Sequence, residues 1–66
     1  MIDIHNYEAV IEYANKQARN FKKPKNFCGG RFQTEHDNIF LHINSKGELS
    51  KIEISKEGGS KFYLTP

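Results

Sequence analysis

From Phe32 to Pro66 apolar residues recur at every second position in runs separated by turn residues, the period of strands that bury one face. Asn44-Ser45-Lys46-Gly47 has the chemistry of a type I turn closed by a left-handed residue. With Ile43 facing Glu48, it predicts Leu41 opposite Ser50 and Ile39 opposite Ile52. Glu57-Gly58-Gly59 makes a short hairpin connection that pairs Ile54 with Phe62 and Ile52 with Leu64. Glu35-His36-Asp37-Asn38 joins Thr34 to Ile39 and sets Phe32 opposite Leu41. All three turns place Ile39, Leu41, Ile43, Ile52 and Ile54 on one face, and a one-residue slip in any of them would break it. The other face is predicted to carry Phe40, His42, Leu49, Lys51, Glu53, Lys61 and Tyr63, with Phe40 opposite Lys51 and Glu53 opposite Tyr63.

Upstream the period changes from two to between three and four. Tyr7, Val10, Ile11, Ala14, Ala18 and Phe21 form one apolar stripe, with Glu8, Glu12, Asn15, Lys16, Arg19 and Asn20 on the opposite side. Asn6 is a capping residue, Glu8 suits the positive end of a helix, and Glu12 with Lys16 is a favourable pair worth about 0.3 kcal/mol. Lys22 and Lys23 suit the negative end, and Pro24 disfavours helix at Lys23. A helix over about residues 6–22 follows. Phe27 is expected at the core edge, and Cys28-Gly29-Gly30 reads either as the start of a strand or as a loop. The first strand is expected over Arg31 to Thr34. The fold class is therefore α+β: one domain, residues 1–66, with an N-terminal helix packed on a three- to four-stranded antiparallel β-meander.

Composition narrows the setting. With 66 residues, 27% of them charged, the chain buries only about 60% of the surface it exposes when unfolded, so its stability is small. No apolar run is long enough to span a bilayer, and Met1 to His5 lack the basic start and apolar core of a signal peptide. Cys28 is the only cysteine, which excludes an internal disulfide and suits a reducing cytoplasm. The net charge of +2 is unevenly spread: residues 1–12 carry −3, residues 13–34 carry +6 and residues 35–66 carry −1. Lys16, Arg19, Lys22, Lys23, Lys25 and Arg31 make up the basic block.

Candidate chemistry is sparse. Glu35, His36 and Asp37, with His5 and His42, lack the HxH, HxxxH or CxxC spacings of a metal site and read as a polar hairpin loop. Cys28 sits in a basic stretch without a base to activate it, and neither Gly29-Gly30 nor Gly58-Gly59 fits a phosphate loop. Lys22-Lys23-Pro24-Lys25 matches a loose nuclear-localisation pattern that a solvated helix end explains as well. No RNP-type aromatic motif, zinc finger or helix-turn-helix pair is present to read bases. The expectation is a protein without catalytic residues, cofactor or metal.

Two surfaces remain as partner-binding candidates: the basic block (Lys16, Arg19, Lys22, Lys23, Lys25, Arg31) and the outer sheet face (Phe40, His42, Leu49, Tyr63). In size, single-domain α+β build and Lys/Asn/Ile-rich composition, the chain resembles the small accessory proteins of bacteriophages and mobile elements, among them the anti-CRISPR inhibitors. That resemblance covers the whole chain, is carried by no motif and transfers no residue roles. It implies a stoichiometric inhibitor occupying a surface of a host defence or nucleic-acid-handling complex. The alternative is a small nucleic-acid-binding protein whose 16–31 block meets the backbone; a homodimer through the open sheet face is a further arrangement.

Overall fold

The computed structural model describes residues 2–66, with Met1 outside the described part. One helix, α1 (Tyr7–Arg19), precedes four strands, β1 (Gly30–Gln33), β2 (Ile39–Ile43), β3 (Leu49–Ser55) and β4 (Lys61–Leu64), with a short 3-10 turn at Glu57–Gly59. The strands form one antiparallel sheet in the order β1-β2-β3-β4, and α1 lies against the two central strands. This is the α+β meander expected from the hydrophobic pattern. Among the described residues no helix is long and apolar enough to cross a membrane.

Helix α1 begins where its cap predicts: the Asn6 side-chain oxygen accepts from the Ala9 amide at 3.2 Å. It ends three residues short of the expected boundary. The Asn20 and Phe21 amides turn back onto Gln17 and Ala18 in a tightened last turn, which still delivers Phe21 to the core edge. There Phe21, Phe27 and Phe32 meet as tilted rings with centroids 5.1–5.9 Å apart, closing the end of the core where Phe27 was expected. Val10 and Ala14 press into a buried layer of Ile39, Leu41, Ile43, Ile52 and Ile54.

The β2–β3 register departs from expectation in an instructive way. Asn44 pairs with Glu48, leaving a three-residue loop, because the Asn44 side-chain oxygen accepts from both the Lys46 and Glu48 amides at 2.9 and 3.0 Å. That tightens the loop by one residue relative to an Ile43–Glu48 pairing. A bulge then adds a second one-residue shift: Ile43 faces Leu49 but His42 faces Lys51, so Ser50 is extra. The Ser50 hydroxyl donates to the His42 carbonyl at 2.9 Å across the irregularity. Because the two shifts sum to two, Leu41 meets Ile52 and Ile39 meets Ile54 rather than Ser50 and Ile52, yet the apolar face is preserved. Between turn and bulge only one shift applies, so Leu49 crosses to the core side. There it packs partly buried against the core, which removes it from the outer-face candidates.

The other pairings follow the turns. Phe32 faces Leu41, Ile54 faces Phe62 and Ile52 faces Leu64, as expected. Residues 30–33, one position earlier than predicted, form β1 despite its glycine. Gly29 has φ +96°, and a Cβ added there would lie 2.9 Å from the Ile43 carbonyl oxygen. Gly29→Ala should therefore destabilise the domain by about 1–3 kcal/mol, whereas Gly58→Ala, at φ +82° in open space, carries only backbone strain of about 1 kcal/mol. Urea midpoints of the two variants check this; equal shifts would remove the contact with Ile43 from the explanation.

Candidate partner-binding face

The face of the sheet turned away from α1 has no element of the described chain over it, and the register determines what stands on it. One row across the strands holds Arg31, His42 and Lys51; the next holds Gln33, Phe40, Glu53 and Tyr63; Lys61 follows opposite Ser55. The tightened Asn44 loop and the bulge together build this arrangement. Their two one-residue shifts move Phe40 from the expected position opposite Lys51 to a position opposite Glu53, and bring His42 into the row beside it.

Glu53 is the centre. It is an acid between Ile52 and Ile54 on the uncovered face, yet only 2% exposed, because its neighbours close over it. Arg31 grips it with two bonds, Nε to Oε1 at 3.0 Å and Nη2 to Oε2 at 2.7 Å. His42 Nε2 approaches Oε1 at 2.9 Å, and since a carboxylate only accepts, that nitrogen carries the proton. Lys61 Nζ adds a longer ion pair at 3.9 Å. The Arg31 hydrogen bonds, followed by that from His42, outweigh desolvation and hold the carboxyl at about 2 against an ordinary 4.5. The same bond to Glu53 raises the Arg31 guanidinium above its ordinary value.

The aromatics of this face are covered by cations. The Arg31 guanidinium carbon sits 3.9 Å from the Phe40 ring centroid, and Lys51 Nζ sits 4.4 Å from that of Tyr63. His42 meets Tyr63 edge-on at 5.8 Å. Tyr63 stays 50% exposed, so it is the largest apolar group this face offers to an incoming surface.

The basic block does not come together as one patch. Arg31 leaves it for the outer sheet face, where Glu53 neutralises it. Lys16 and Arg19 stay exposed on α1, and Lys22, Lys23 and Lys25 are exposed on the connection that follows. The Lys23 stem packs beside Gly47, bringing Lys46 of the β2–β3 turn into the neighbourhood of the three lysines. At the opposite end, His5 shares a groove with Asn38, Lys56 and Glu57, near the Glu35-His36-Asp37 loop. The uneven charge of the chain thus becomes a basic hairpin end and a more acidic helix-start end.

No protein-family model matches this chain, no curated protein does, and no solved structure does. What it does has to be read from its own side chains.

The remaining candidates serve local structure. His36 Nδ1 accepts from the Asn38 amide, and the Thr34 hydroxyl bonds the His36 and Ile39 carbonyls, so this histidine and its loop are occupied in shaping the β1–β2 turn. Cys28 is exposed, with Sγ 3.6 Å from the Asn26 carbonyl. Among the described residues no three His, Cys, Asp or Glu side chains come together to hold a metal ion. Glu53 stands on the outer face opposite Tyr63 as the pattern predicted, but it was not among the partner-binding candidates. Its signal was present: an acid flanked by isoleucines, facing a tyrosine, in a strand buried on its other side.

Proposed function

We propose that this protein is a small non-enzymatic binding protein that occupies a surface of a larger protein or nucleoprotein complex through its outer sheet face. One observation carries the reading. Glu53, buried on the uncovered side of the sheet, holds Arg31 and His42 in place around Phe40 and Tyr63. A rigid arginine beside exposed tyrosine is the composition of binding hot spots, and pre-ordering lowers the entropy lost on association. The resemblance to phage accessory proteins supplies a setting for this, a stoichiometric inhibitor of a host defence or nucleic-acid-handling assembly acting in the cytoplasm.

The test is capture from a nuclease-treated bacterial lysate, with protein and nucleic acid both quantified. Wild type should retain a discrete protein in near-equal amount. Phe40→Ala with Tyr63→Ala should lose at least about tenfold of it while keeping its thermal melt. A variant that captures the same protein equally well overturns the reading.

A second reading is favoured by the clustering of Lys22, Lys23 and Lys25 near Lys46: contact with nucleic-acid backbone. It requires affinity for generic DNA or RNA that falls steeply with salt and vanishes when Lys22, Lys23 and Lys25 are reversed to glutamate. Sub-micromolar binding of generic DNA by wild type at about 0.15 M salt would replace the first reading with this one.

A further inference from the structure

The outer face has chemistry specific enough to name the kind of surface it meets. We infer that its partner is an acidic protein surface, with Arg31 receiving an aspartate or glutamate carboxylate of that partner. This rests on the binding reading above and narrows it.

Arg31 is held in place but not used up. Of five N–H donors it directs two to Glu53, and Nη1 has no partner among the described residues. Stacked on Phe40 at 3.9 Å, the guanidinium is fixed in orientation, yet its side chain remains 45% exposed. The carboxylate that holds it is 3% exposed, so an incoming anion meets the guanidinium and not Glu53. Lys51 and Lys61 stand on the same face, and three cations against one acid leave it a formal +2.

That charge calls for an anion, and three kinds of partner can supply or fail to supply it. A single-stranded nucleic acid would bind such a sheet by stacking bases on its aromatics. Here Phe40 and Tyr63 each already carry a cation against the ring, and a buried negative charge lies between them. A second copy related by a two-fold axis would set +2 against +2. A partner carboxylate needs neither ring and matches the planar fork of the arginine, with Tyr63 beside it for apolar contact.

The experiment is a two-dimensional NMR titration of the full chain at about 50 mM salt, with a polyglutamate peptide of about ten residues and, separately, an oligothymidylate of equal length. The peptide is expected to shift the Arg31 Nε–H resonance and the amides around His42, Lys51 and Tyr63 at lower concentration than the oligonucleotide does. Arg31→Lys keeps the charge but not the fork, and should weaken the peptide by about fivefold or more. Because Arg31→Ala alone would leave Glu53 with only His42 and the more distant Lys61, the deletion control is Arg31→Ala with Glu53→Gln, which keeps the formal charge of the face and should weaken the peptide at least as much as Arg31→Lys does. Tighter oligonucleotide binding here, shifts confined to Lys22, Lys23 and Lys25, or concentration-dependent self-association through this face would each overturn the inference. If instead the captured protein depends on Tyr63 but not on Arg31, the binding reading stands and the acidic partner falls.

Discussion

Ile52→Ala is expected to remove a large part of the domain's stability at room temperature. Ile52 is fully buried on a central strand, between Leu41 of β2 and Leu64 of β4, with α1 covering that side of the sheet. Truncating a buried isoleucine removes its transfer free energy and leaves a cavity, costing about 2–5 kcal/mol. A chain of this length holds only about 3–10 kcal/mol in total. Leu41→Ala should act similarly, and since the two side chains face each other, the double variant should cost less than the sum of the singles. Lys51→Ala, one residue away on the exposed face, should change stability by about 0.5 kcal/mol or less. Urea titrations followed by circular dichroism measure all four, and a near-native midpoint for Ile52→Ala would refute the packing described.

The second large effect is that of Arg31→Ala, and it should depend on pH. Removing Glu53 would leave an arginine that water can solvate, whereas removing Arg31 takes away two of the hydrogen bonds of a carboxylate that water barely reaches. The folded pKa of Glu53 lies below its unfolded value. Its contribution to stability is therefore fully present above about 4.5 and is lost as pH falls from 4.5 toward about 2. A depression of that size corresponds to about 3 kcal/mol. The cover over Glu53 is one side chain thick and Arg31 is nearly half in solvent, so screening leaves about 1–2 kcal/mol. Arg31→Ala should then destabilise the domain at neutral pH, and the difference from wild type should shrink as pH falls through that window, because the variant has lost the main cause of the depression. Adding Glu53→Gln should recover part of the loss at neutral pH. His42 and Lys61 contact the same carboxylate, and Lys51 and Tyr63 stand beside it on this face. A pH-independent cost would show that Arg31 acts on this face by packing on Phe40 rather than by charge.

The elements of this protein are legible in the chain because each depends on a local period. Val10, Ala14 and Phe21 mark a helical stripe, and Ile39, Leu41 and Ile43 mark a strand, whatever the rest of the molecule does. Asn6, Pro24 and Gly47 punctuate those runs through their own backbone chemistry. Alternation constrains pairing only in parity, however. The Asn44 capture of two amides and the Ser50 bulge each shift β3 by one residue; together they return to the same parity, so no hydrophobic pattern records them.

What those two shifts decide is the functional surface. They send Leu49 inward, set Glu53 beside Phe40 and His42, and place it within reach of an arginine 22 residues away. Read along the chain, Arg31 belongs with the lysines before it, because sequence records charge by position and not by face. In the fold, the strand alternation of β1 turns it to the side of the sheet opposite α1. Local periodicity determined the helix, the strands and their buried faces; only the tertiary register, a long-range hydrogen-bonding outcome, decided which polar residues meet on the face left open.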